Sequence, residues 1–143
     1  EIEAKSINNA FGPKVSNITL TRAAGTVTEG GSSANEFDAI QFKKEGNGEY
    51  TNVVISGYTT SNTTLTATAV RIQDKSTNDN QVTGGKIKMF NVKINDGTSQ
   101  FAGVGTTFTV AFPTGNYTTS STATGATLTA GAWAIVDGVS LIK

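Results

Sequence analysis

The chain has no histidine and no cysteine. Without imidazole there is no ordinary general base for neutral pH and no Ser-His-Asp triad. Without thiols there is no thiolate nucleophile, no disulfide and no ordinary zinc site. Stability therefore has to come from burial and strand pairing. Charge is scarce as well: 15% of residues are charged, and 11 Lys plus Arg balance 11 Asp plus Glu. An average soluble domain carries roughly 25% charged residues, so neutral hydroxyls and amides must cover much of this surface. The neutral balance excludes the basic excess that a nucleic-acid backbone or an anionic lipid surface requires. No apolar run approaches the roughly 20 residues that cross a bilayer as a helix.

What is there favours strands. Thr is the commonest residue, with Gly, Ala, Asn and Ser behind it, a mixture of β-branched polar residues and turn formers. A length of 143 residues suits one domain. The low-charge, Thr/Asn/Gly-rich character suits an exported, cell-surface or virion protein, and Glu1 in place of an initiator Met suits removal of a leader and a trimmed chain equally well.

Residues 1–7 set Ile2 and Ala4 against Glu1, Glu3 and Lys5, and residues 14–22 put Ile18 and Leu20 on one face. Residues 36–44 carry Ile40 and Phe42 inward, Gly46-Asn47-Gly48 turns the chain, and residues 50–58 return through Val53, Val54 and Ile55. This reads as a hairpin. Segments 63–74 and 86–95 each change parity midway, from Leu65, Ala67 and Ala69 to Val70 and Ile72, and from Ile87 and Met89 to Phe90, Val92 and Ile94. Such switches mark bulges or strands crossing between sheets.

Segment 106–112 alternates Phe108, Val110 and Phe112, while residues 114–131 are low in complexity, either a surface loop or a flat Thr-rich strand pair. Residues 131–143 place Trp133, Ile135, Val139 and Leu141 on one face, as a strand through the centre of the core. No internal repeat of fixed period stands out, which argues against a solenoid or propeller. The expectation is an all-β fold, a two-sheet antiparallel sandwich of jelly-roll or immunoglobulin-like type with about eight or nine strands. Residues 14–143 would form this single domain and residues 1–13 an N-terminal extended segment.

Glu29, Glu36, Asp38, Glu45 and Glu49 form the one cluster of acids. A glycosidase needs two carboxyl groups held roughly 5–10 Å apart in a cleft. Alternating carboxylates are also the ordinary outward set of a half-buried strand, and we adopt that reading, expecting no catalytic residue and no cofactor. Gly103-Val104-Gly105 is followed by a strand signal and not by a helix, so it is no phosphate loop. Asp74, Asn78 and Asp79 lie in an oxygen-rich run suited to calcium, although the spacing matches no defined calcium loop and Asx-rich turns look the same.

Asn17, Asn62 and Asn116 head Asn-X-Thr triplets and are glycan acceptors only if the chain is exported from a glycosylating organism. The parity of Trp133 assigns it to the core and not to a sugar-stacking platform, whereas Tyr50, Tyr58 and Tyr117 sit near turns, free to meet a ligand. Lys86, Lys88 and Lys93 read as a solvated or edge-protecting face.

Low charge and Thr-rich strands leave sheet edges with little to oppose pairing. Residues 1–13 are a short alternating segment ending in Gly12-Pro13, fit to pair with their own sheet or with a neighbour's. In this design, with Ile2, Ala4 and Ile7 as donor residues, the chain resembles subunits of donor-strand surface filaments such as archaeal and bacterial pili. The resemblance implies a secreted, non-catalytic subunit that self-assembles into an extracellular homopolymer, its N-terminal strand completing the next subunit's sandwich. A viral or phage coat, tube or decoration protein is an open alternative. So is a carbohydrate-binding module, because Val136-Asp137-Gly138-Val139-Ser140-Leu141 is similar to the closing strand of jelly-roll carbohydrate-binding modules.

Overall fold

The computed structural model describes residues 2–4, 6, 8–22, 38–58, 68–95, 99–103, 108–127, 135–136 and 139–140. In chain order the strands are β1 (Ile2–Glu3), β2 (Lys14–Thr21), β3 (Ile40–Lys43), β4 (Gly48–Ser56) and β5 (Thr68–Ile72). A short helix α1 (Lys75–Thr77) runs into a π-helical turn (Asn78–Val82), followed by β6 (Ile87–Ile94), β7 (Ser99–Gly103), β8 (Tyr117–Thr119), β9 (Ile135–Val136) and β10 (Val139–Ser140). One sheet has the order β1-β3-β5-β7, a second has β2-β4-β6-β8, and β9 and β10 pair with each other. Every pairing in the two large sheets is parallel. The chain therefore changes sheet at each successive strand, and each circuit stacks on the one before it as a coil of a solenoid.

The two sheets share one core. Ile40, Phe42, Val70 and Ile72 meet Tyr50, Val53, Ile55, Ile87, Met89 and Val92 across it. The Phe42 and Tyr50 rings pack edge to face at 5.6 Å between centroids. Side chains form columns through the stack: Val15, Tyr50, Met89 and Tyr117 in one, Ile18, Val53, Val92 and Thr119 in the next. A third column holds Leu20, Ile55 and Ile94.

This arrangement overturns the antiparallel sandwich, jelly-roll or immunoglobulin-like, and the all-β class with it. The fold is a mixed α/β arrangement of parallel sheets with a short helical segment. The expected hairpin fails because β3 and β4 belong to different sheets. Lys44 and Glu45 both adopt left-handed backbone, with φ of 48° and 66°, so the chain turns a corner there instead of doubling back. The parity switch in residues 86–95 has a specific cause. Asn91 sits at φ 56°, and one left-handed residue shifts the alternation by one step, so Met89 and Val92 both face inward.

Asn17 and Asn52 repeat that conformation at the matching point of β2 and β4, with φ of 59° and 57°. The solenoid expected to be absent is therefore present. Its repeat lies in the strands, Ser16-Asn17-Ile18-Thr19-Leu20, Thr51-Asn52-Val53-Val54-Ile55 and Phe90-Asn91-Val92-Lys93-Ile94. The separations between the equivalent asparagines are 35 and 39 residues, so no fixed period exists. Phe108, Val110 and Phe112 pack against the core without joining a ladder, and Ser99–Gly103 forms the strand instead. The last expected strand is two short antiparallel pieces, β9 and β10, while Trp133 and Leu141 lie outside the described residues. Among the described residues, no helix is long and apolar enough to cross a membrane.

Candidate functional site

An asparagine ladder runs up the sheet that contains β2, β4 and β6. Asn91 Nδ2 donates to Asn52 Oδ1 at 3.4 Å, and Asn52 Nδ2 donates to Asn17 Oδ1 at 2.8 Å. Asparagine suits these positions because its short amide tolerates left-handed backbone and can bond to the next coil. Thr118 continues the ladder, its hydroxyl accepting from Asn91 N at 3.0 Å.

After β8 the chain crosses back over the outer face of the same sheet as a strap. Ser120 N bonds to Val92 O at 3.0 Å. Thr124 N and Gly125 N then donate to Asn52 Oδ1 at 2.9 and 3.1 Å, and Ala126 N reaches Thr19 Oγ1 at 2.9 Å. Gly125 has φ of 66°, and a Cβ there would collide with Thr19 Oγ1 and press on the Ile18 carbonyl oxygen at 3.0 Å, so glycine lets the strap lie this close.

At a corner of the stack, three coils meet on Glu45. The residue is 3% exposed. Its carboxylate accepts from Ser76 Oγ, Gln81 Nε2 at 2.6 Å, Asn80 Nδ2 at 3.0 Å and Asn8 N at 3.2 Å. Its own N–H donates to Thr77 Oγ1 at 2.9 Å. Asn47 Nδ2 adds bonds to Asn9 O and Gln81 Oε1 at 2.9 and 2.8 Å. Burial pushes the Glu45 carboxyl up, but the bonds donated by Ser76, Gln81, Asn80 and Asn8 outweigh it and hold the group below its ordinary value of 4.5.

A carboxyl with a lowered folded pKa stabilises the fold above its unfolded pKa, and that contribution is lost as pH falls through the folded value. Urea unfolding is therefore expected to show stability declining as pH drops below about 4.5. Glu45→Gln should cost about 2 kcal/mol at neutral pH and flatten the decline, because the amide presents a donor to other donors. An unchanged acid profile in the variant would show that Glu45 is not the titrating group.

Among the described residues, the N-terminal coil carries one edge strand of each sheet, β1 and β2. Ile2 pairs with Phe42 of the same chain and packs on the core, and Ala4 N donates to Lys44 O at 3.0 Å. Glu3 pairs with Lys44 at 3.2 Å and Lys43 at 3.6 Å, and chiefly the Lys44 bond lowers its carboxyl pKa. The core columns open to solvent here. Val15 is 40% exposed, whereas Tyr50 and Met89 in its column are 4% and 0% exposed. Phe11, between the two edge strands, is 85% exposed. At the opposite end β8 covers β6 only from Met89 to Val92, leaving a groove of about 320 Å³ lined by residues 92–95 and 119–121.

The structure separates most of the residues singled out from sequence. Ile7, Asn62, Glu29 and Glu36 lie outside the described residues. Asp38 binds the Arg71 guanidinium, Glu45 sits in the corner network and Glu49 pairs with Lys14 at 3.6 Å. Asp74 caps α1, accepting from Thr77 N, Thr77 Oγ1 and Lys44 N at 2.8, 3.0 and 2.9 Å, and Asp79 pairs with Lys75. Among the described residues no group of three or more acidic side chains could hold a metal ion. Asn116 is half-buried, its carbonyl accepting from Met89 N at 2.8 Å.

Tyr50 belongs to the core, with its hydroxyl on Asn47 O at 3.2 Å, and burial pushes the Tyr50 and Tyr117 phenols up to about 12. Tyr58 lies under the Arg22 guanidinium at 6.0 Å. Lys86 ties the carbonyls of Asn8 and Asn9 at 3.3 Å, while Lys88 and Lys93 are half-buried on β6. Sequence reasoning missed the ladder, the strap and the Glu45 corner, and the Asn-Ile/Val-X-Leu/Ile match in three strands was the available signal for the first. No protein-family model, no curated protein and no solved structure matches the chain.

Proposed function

We propose that this chain is a non-catalytic structural subunit that polymerises outside the cell into a filament by β-strand addition. The observation that carries the reading is the N-terminal coil, whose strands β1 and β2 are covered on their outer side by no other described strand. A solenoid needs a polar terminal repeat to stay monomeric, because each coil buries its apolar face only against its neighbours. Here the first coil offers Val15 and Phe11 to solvent, at 40% and 85% exposure, beside the edge of β2 that no described strand pairs with. Lys14 is the one charged residue in that strand, so little opposes pairing with another chain. The acids Asp38, Glu45 and Glu49 are each held by partners of their own, which supports a structural and not a catalytic use. The reading assigns strand addition to the open edge, while Ile2 and Ala4 stay paired within their own chain.

Negative-stain microscopy and sedimentation of the intact protein test this. The wild type is expected to form filaments. Val15→Lys should leave it monomeric with an unchanged melting curve, since the side chain already reaches solvent. A wild type that stays monomeric at high concentration, or a Val15→Lys variant that polymerises normally, would refute the assignment.

A further inference from the structure

We infer that the partner at this edge is a second copy of the chain docked head to tail, its β8 laid parallel along β2 so that its Thr118 faces Asn17. The inference rests on the assembly reading above and adds the register and polarity of the contact.

The ladder has a direction. Donation runs from Asn91 to Asn52 and from Asn52 to Asn17, where the exposed amide nitrogen has no partner among the described residues. The other end of the stack offers the complement. The Thr118 hydroxyl already accepts from Asn91 N and keeps a second lone pair on an exposed residue. A donor end on one copy thus meets an acceptor end on the next. Pairing β2 with β2 about a two-fold axis would instead bring two donor ends together.

The apolar columns agree with the same register. Laying β8 along β2 sets Tyr117 of one copy against Val15 of the next, continuing the column Val15, Tyr50, Met89 and Tyr117. The Leu20 column ends at Ile94, which lines the groove left where β8 stops. Half-buried Leu20 of the copy that offers β2 is thereby directed at that groove of the docked copy. Because the two contacting surfaces differ, the contact does not close on itself and propagates as a filament.

The absence of cysteine makes a cross-link test clean. Ser16 and Thr118 are both exposed. In docked copies their Cα atoms would lie about 4.8 Å apart, within disulfide range. Inside one copy they are separated by about three strand spacings, or roughly 14 Å, beyond that range. The oxidised Ser16→Cys/Thr118→Cys chain is expected to give a ladder of dimers, trimers and higher species on a non-reducing gel. An equal mixture of the two single variants should stop at dimers.

Asn17→Asp keeps the oxygen that Asn52 uses and loses the outward N–H. It should raise the concentration needed for pelleting about tenfold without moving the monomer's melting curve. If the double variant stops at dimers, or gives no cross-links while the wild type still forms filaments, the head-to-tail register is wrong and the assembly reading stands. Normal pelleting of Asn17→Asp also overturns the register. A wild type that never polymerises overturns both.

Discussion

Asn52→Ala is expected to lower the unfolding free energy by about 3 kcal/mol, read as a shifted urea midpoint with an unchanged slope. Asn52 is the hub of the ladder and the anchor of the strap. Its amide donates to Asn17 Oδ1, Thr124 Oγ1 and Gly125 O at 2.8, 3.1 and 3.1 Å. Its oxygen accepts from Thr124 N, Gly125 N and Asn91 Nδ2 at 2.9, 3.1 and 3.4 Å. Alanine removes all of these and must hold φ near 57°, a left-handed conformation that costs an ordinary L-residue roughly 1–2 kcal/mol.

Two further substitutions separate the contributions. Asn52→Gly loses the amide without the backbone strain and should cost about 1–2 kcal/mol less than alanine. Asn52→Asp keeps the acceptor for the strap but sets a carboxylate oxygen against the Asn17 and Gly125 carbonyl oxygens, so it should cost more than glycine. Faster hydrogen exchange at Gly125 and Ala126 in the alanine variant would locate the loss in the strap. Equal stability of the alanine and wild-type chains would refute the hub role.

Asp38→Ala is expected to cost about 3–5 kcal/mol, because it strips the carboxylate from a buried guanidinium. The Asp38 and Arg71 side chains are 1% and 4% exposed. Arg71 Nε and Nη2 both donate to the carboxylate, the second at 3.1 Å. Asp38 also accepts from Thr68 N and Thr68 Oγ1 at 2.8 and 2.7 Å, so it clamps the start of β5 from just before β3. The double replacement Asp38→Leu/Arg71→Met should recover most of the loss, since two apolar residues need no mutual compensation. A double-mutant cycle with coupling near zero would show that the pair does not act as a unit.

Much of the strand content was legible in the sequence. Residues 14–21, 40–43, 48–56 and 87–94 alternate apolar and polar side chains with β-branched residues, and all are strands. The parity switch in residues 86–95 was legible too: of its two readings, a bulge or a crossing between sheets, the structure has the bulge, a register shift between Met89 and Val92 at left-handed Asn91. The repeated asparagine was hidden by the unequal coils of 35 and 39 residues. Glu45 read as a surface acid because glutamate is ordinarily exposed. Its donors Ser76, Asn80 and Gln81 come from a helical segment more than thirty positions away, and only the folded corner gathers them. Asp74, weighed as a calcium ligand against an ordinary Asx-rich turn, is an N-cap three residues before Thr77.

By itself the sequence determined that imidazole and thiol chemistry are absent, that short strands dominate, and which side chains on those strands are apolar. Alternation is a property of neighbouring residues, so it can be read locally. Only the tertiary structure decided which strands pair and in which direction. That choice depends on where each connection leads the chain, and the loop between Lys43 and Gly48 carries β4 into the other sheet although its residues suit a hairpin equally well. The same non-local stacking leaves Val15 and Asn17 on a strand with one described neighbour while Tyr50 and Asn52, on a closely matching strand, are covered by the coils on either side.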